Sequence, residues 1–132
     1  MDVTETGNFA NEDASDWVYE LAESAGTDLL NEAFAAIDGN KYPDSPDCRI
    51  ALAAAEIIAT AKGKPPSDLP TEASAWLADH DRLNDIKALG KHAITVVNKI
   101  SAKSELREEW EESDSWHEWQ TTVEGLLRRL HG

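Results

Sequence analysis

Apolar residues recur at three- and four-residue steps along most of the chain, a period that predicts helices rather than strands. Ala14, Trp17, Val18, Leu21, Ala22 and Ala25 form the first such stripe, one apolar face of an amphipathic helix. Asn11 stands before it as a capping residue, with Glu12 and Asp13 in the first turn and Gly26 placed to stop it. Carboxylates there suit the positive end of the helix dipole. A second stripe of Leu29, Leu30, Ala33, Phe34 and Ile37 begins directly at Thr27 and ends at Gly39. The short junction at Gly26-Thr27 predicts a tight helical corner or hairpin. Residues 39–45 are turn-rich and read as a connection.

Ser45 followed by Pro46 reads as an N-cap with proline in the first helical position. The helix it opens is expected to reach about Lys62. From Ile50 to Ala61 only Glu56 and Thr60 are polar, so this helix is expected to be buried nearly all round, its alanines letting neighbours approach closely. Gly63-Lys64-Pro65-Pro66-Ser67 breaks it. A short helix is predicted near Thr71–Asp79 and a longer one from about Arg82 to Ile100. In the latter, the period outweighs the strand propensity of Ile94 to Val97. Ser104 caps a further short helix with Leu106 and Trp110. Ser113 or Asp114 caps the last one, which carries Trp116, Trp119, Val123, Leu126, Leu127 and Leu130 on one face. The expected fold is all-α: a compact single-domain bundle over residues 1–132, of about six or seven helices around the Ala/Ile-rich segment. Residues 1–10 are expected to form an N-terminal arm or loop.

Composition fits one domain. Hydrophobic residues make up 41% and include five tryptophans, enough for a core without disulfide or metal support. The single cysteine, Cys48, has no intrachain partner. No stretch approaches the roughly eighteen apolar residues of a membrane span, and the opening Met1-Asp2-Val3-Thr4-Glu5 lacks the pattern of a signal peptide. A cytoplasmic protein is expected.

Charge changes the picture more. The net charge of −14 is unevenly placed: residues 1–47 carry 12 acids and one base, residues 48–103 carry 6 acids and 8 bases, and residues 104–132 carry 8 acids and 3 bases. Such a field repels nucleic acid and anionic membrane and speeds encounter with a basic protein. Glu12, Asp13, Asp16, Glu20 and Glu23 form a stripe on the polar side of the first helix, and Glu108, Glu109, Glu111, Glu112 and Asp114 form a second run. Their bland reading is a solvated face. Their functional reading is a docking surface, with Asp13, Asp16, Glu20 and Glu23 touching a basic partner. Adaptation to high salt would spread acids over the whole surface, which the slightly basic middle argues against.

Candidates for chemistry each fail on spacing. Asp79-His80-Asp81 suggests metal ligands, but consecutive residues point apart and no second cluster lies at a ligand spacing, so a cap or loop is expected. His117-Glu118 on a helix resembles the start of a zinc-protease motif whose second histidine would stand at 121, where there is Thr121. Cys48 near a helix start has no histidine at a familiar spacing and reads as a buried structural thiol. The five tryptophans read mainly as packing. No Walker loop, Gly-x-Gly-x-x-Gly, Gly-x-Ser-x-Gly or Cys-x-x-Cys is present. No catalytic residue, metal or cofactor is therefore expected.

The N-terminal run Thr6-Gly7-Asn8-Phe9-Ala10-Asn11-Glu12-Asp13-Ala14-Ser15-Asp16-Trp17 and the C-terminal run Ser104-Glu105-Leu106-Arg107-Glu108-Glu109-Trp110-Glu111-Glu112, followed by Trp116 or Trp119 and Arg129-Leu130, resemble the bacterial domain-of-unknown-function family 4259. That family usually opens on a Gly-x-Trp-Gly start, where this chain has Asp2-Val3-Thr4-Glu5. The resemblance implies a small helical protein and assigns no catalytic residue. Its shared feature is expected in Gly7, Phe9, Asn11, Asp13 and Trp17: a glycine turn, an apolar staple, a cap, a first-turn acid and an inward tryptophan. The leading expectation is a non-enzymatic acidic binding protein, such as a toxin-neutralising immunity protein or inhibitor covering a basic surface. The alternative is a small helical enzyme or a ligand- or metal-binding domain using Asp/Glu with His80 or His92.

Overall fold

The Ala/Ile-rich segment becomes the axis of the molecule. In the computed structural model, which describes residues 6–79 and 83–132, eight helices are formed: α1 (Glu12–Ala22), α2 (Asp28–Ala35), α3 (Ser45–Ala61), α4 (Thr71–Asp79), α5 (Leu83–Lys87), α6 (Gly90–Ala102), α7 (Glu105–Glu111) and α8 (Trp116–His131). No strand forms among the described residues. α3 touches α1, α2, α5, α6, α7 and α8. Residues 51–59 are buried without interruption, which small side chains permit because neighbouring helices can approach the axis closely. α4 lies outside this ring against α1, where the Trp76 indole N–H donates to the Ser24 carbonyl at 3.1 Å.

The all-α bundle matches the expectation from periodicity, and the differences have local causes. Asn11 caps α1, accepting from the Ala14 N–H at 2.8 Å, but α1 ends at Ala22, before Gly26. Ala22, its last residue, and Ala25 beyond it face solvent instead of extending the apolar stripe. Gly26 keeps a left-handed φ of 106° in the corner to α2, a backbone state that favours glycine. The cap of α3 is Asp44 rather than Ser45; its carboxylate accepts from the Asp47 N–H at 3.0 Å. Ser45 instead donates its backbone N–H to Glu105 Oε1 at 2.8 Å, so a tertiary contact moves the boundary by one residue.

The expected helix from Arg82 to Ile100 is divided into α5 and α6 by a turn at Ala88-Leu89, where the Leu89 N–H reaches the Ile86 carbonyl at 3.0 Å. Arg82 lies outside the described residues. Ser104 caps α7 as expected, accepting from the Arg107 N–H at 3.0 Å. α8 starts one or two residues later than expected, after Ser115. Ser113 accepts from the Ser115 N–H at 3.1 Å and so closes the preceding turn rather than the helix. Trp17, Trp76 and Trp119 are buried, while Trp110 and Trp116 are half-buried at the rim. Trp116 stacks on Trp119 with ring centroids 5.8 Å apart and holds the Arg107 guanidinium 5.1 Å from its ring.

Candidate functional site

The centre of α3 holds one anomaly, a carboxylate among alanines and isoleucines. Glu56 is 1% exposed. An ionised carboxylate left alone in such a place would be strongly disfavoured. Two groups from opposite ends of the chain answer it. Arg129 of α8 grips both oxygens, with Nη1 donating to Oε1 at 2.6 Å and Nη2 to Oε2 at 3.2 Å, the fork geometry that matches a carboxylate. Asn8 donates Nδ2 to Oε2 at 2.8 Å. Arg129 Nη1 also lies 3.3 Å from the Lys64 carbonyl, tying the loop after α3 to the same group.

This contact holds down the segment expected to be an arm or loop. In the described part, residues 6–10, the chain is packed down rather than extended. The Ala10 N–H closes a turn on the Gly7 carbonyl at 3.0 Å, Phe9 is buried, and the Thr6 and Thr122 hydroxyls meet at 3.0 Å. The Gly7-Asn8 turn separates two clefts. One, of about 290 Å³, is walled by Asn8, Glu56, Pro66, Asp68, Thr122 and Arg129. Asp68 Oδ2 is buried in its wall with no hydrogen-bond partner among the described residues. The other, of about 220 Å³, is walled by Asn11, Arg49, Leu52, Leu106, Trp110 and Trp119.

Arg49 joins what the sequence separates. Its Nη1 lies 3.2 Å from Asp13 of α1 and its Nη2 lies 3.2 Å from Glu109 of α7, so the two acidic runs meet on one face. Beside them, the Tyr42 hydroxyl donates to Glu108. That bond, helped by desolvation and by the charges of Glu108, Glu105 and Glu109, pushes the phenol up to about 12. Burial and the neighbouring Asp44 raise the Asp47 carboxyl above its usual range.

The acids expected to meet a partner are divided by this arrangement. Asp16 and Glu20 are exposed along α1 and Glu23 at its C-cap, whereas Asp13 is half-buried and held by Arg49. Between them stands an aromatic that lies off the apolar stripe of α1. Tyr19 is 62% exposed, three residues after Asp16 and four before Glu23, hence beside both on the helix surface. That spacing was the available signal. Of the N-terminal motif, Phe9 and Trp17 are buried, Asn11 caps α1, and Gly7 makes the turn.

The remaining candidates stay apart. His92 pairs with Asp38 at 2.7 Å and packs against Phe34. His117 is exposed and Glu118 half-buried on α8. Asp79 is exposed; His80 and Asp81 lie outside the described residues. Cys48 is buried, its thiol 3.8 Å from the Pro43 carbonyl, and burial pushes it up to about 11. Among the described residues no three His, Cys, Asp or Glu side chains gather to hold a metal ion. No helix formed by those residues is long and apolar enough to cross a membrane.

No curated protein and no solved structure matches the chain. The sequence profile described as Domain of unknown function (DUF4259) matches residues 3–122, a span that includes the N-terminal turn, Glu56 and both acidic runs. Matched over most of its length, the chain belongs to the DUF4259 family.

Proposed function

We propose that this is a non-enzymatic acidic binding protein that covers a basic surface of another protein, as a toxin-neutralising immunity protein or an inhibitor would. The observation that supports it is Arg49 held between Asp13 and Glu109, which unites two acidic runs nearly a hundred residues apart into one face. Asp16, Glu20 and Glu23 continue that face along α1, with Tyr19 standing out among them. An exposed aromatic ringed by charge is the anatomy of an interface anchor. The charges would steer encounter and the ring would hold the complex.

The test begins with affinity capture and continues as a salt series on the purified pair. Affinity is expected to fall about tenfold or more from low to high salt. Asp16→Lys with Glu20→Lys is expected to slow association about tenfold, and Tyr19→Ala to speed dissociation by a similar factor. A captured partner whose binding ignores salt and both variants overturns the reading. A second reading, a ligand-binding helical domain, is favoured by the 290 Å³ cleft with its unpartnered Asp68 oxygen. Thermal-shift screening with metals and common metabolites separates the two.

A further inference from the structure

The chain has 26 carboxylates against 12 lysines and arginines, yet one cleft reverses that balance. Where the end of α3, the α5–α6 junction and the end of α8 meet, a cleft of about 820 Å³ is lined by Lys62, Lys87, Lys91 and His131, with the half-buried Ile94 among its apolar lining. No carboxylate among the described residues lines it. None of the three lysines forms an ion pair among the described residues either. Lys62 is seated: its ammonium donates to the Leu130 carbonyl and lies over Gly90, where an added Cβ would stand 3.6 Å from Nζ. Lys87 and Lys91 are exposed at the rim.

Three ammonium groups from separate elements line one cleft with no carboxylate among the described residues beside them, in a protein with acids to spare. Their mutual repulsion is relieved by an anion placed between them. We propose that this cleft binds a small polyanion, a compact molecule carrying two or more phosphate or carboxylate groups. Compactness follows from the rest of the surface. The lysine field acts only over about 10 Å at moderate salt, while an extended polyanion would also meet the acidic face and be repelled. The volume lies in the usual range for small-molecule sites, roughly 300–1,000 Å³, and the half-buried Ile94 offers apolar surface to an organic portion.

The test is calorimetric titration of the full chain with inorganic pyrophosphate, citrate and adenosine diphosphate in turn. Saturable single-site binding of at least one, with a dissociation constant below about 1 mM, is expected. Lys87→Ala with Lys91→Ala should weaken it about tenfold or more, whereas Lys103→Ala, an exposed lysine outside the cleft, should leave it unchanged. Unaltered thermal melting of each variant shows that the fold is kept. Tighter binding of the nucleotide than of pyrophosphate supports an organic ligand resting on the apolar lining; the reverse order supports a bare phosphate. Absence of heat with all three anions overturns the proposal. So does equal weakening by Lys103→Ala, or tighter binding of a duplex oligonucleotide than of any small anion.

Discussion

Replacing Arg129 by methionine keeps most of the side-chain volume of α8 and removes the guanidinium from Glu56. Breaking a buried ion pair by deleting one partner costs about 3–5 kcal/mol, because the remaining charge stays buried and uncompensated. Here the Glu56 side chain is 1% exposed and that of Arg129 24%, so the loss falls almost wholly on the carboxylate. Asn8 keeps its 2.8 Å bond to Oε2 and the adjoining cleft admits water, which together lower the expected cost to about 2–4 kcal/mol. Equilibrium urea unfolding reads this as a lower midpoint at unchanged slope. In a thermal scan, at about 4 °C per kcal/mol for a domain of this size, it is a drop of about 8–16 °C. Adding Glu56→Gln to Arg129→Met removes the orphaned charge while keeping an amide oxygen for Asn8, and should restore about 1 kcal/mol or more. The reasoning is refuted if Arg129→Met costs less than about 1 kcal/mol, or if the double variant is less stable than Arg129→Met alone.

Two further predictions concern the core and the first helix. Burial favours the neutral thiol of Cys48 and raises its pKa from 9.0 to about 11. Its contribution to stability is therefore complete below about pH 9 and lost as pH rises toward 11. A thiol reagent at neutral pH should label the native protein only at its opening rate, and Cys48→Ala should flatten the alkaline loss of stability in that window; rapid native-state labelling would count against a buried thiol. Asn11→Ala removes the side-chain bond to the Ala14 N–H and should cost about 1 kcal/mol in urea unfolding, while Asn11→Asp should keep most of it.

The helices were legible because their signal is local. Stripes of apolar residues, a cap at Asn11 and another at Ser104 each need only a few neighbouring positions, and both caps form where they are expected. What the sequence hid depends on contacts made across the fold. Glu105 claims the Ser45 N–H, and that shifts the start of α3 to a cap at Asp44. Leu89 closes a turn on Ile86, and the expected long helix becomes two. The acids of the candidate face were visible as runs, but their union around Arg49 spans separations of 36 and 60 residues and has no local trace. Tyr19 was legible in principle, since its place between Asp16 and Glu23 follows from helical spacing alone. Glu56 was visible as a polar interruption of an apolar segment. Its partners were not, since nothing in the sequence links it to Asn8 or Arg129.

That clasp also has a consequence for synthesis. Asn8 precedes Glu56 by 48 residues and Arg129 follows it by 73, so the ribosome delivers the amide first, the carboxylate next and the guanidinium last. Until α8 emerges, Asn8 alone of the two partners can meet the carboxylate, so the clasp cannot close at full strength. Protection of the core against protease is therefore expected to rise once the segment that carries Arg129 is present.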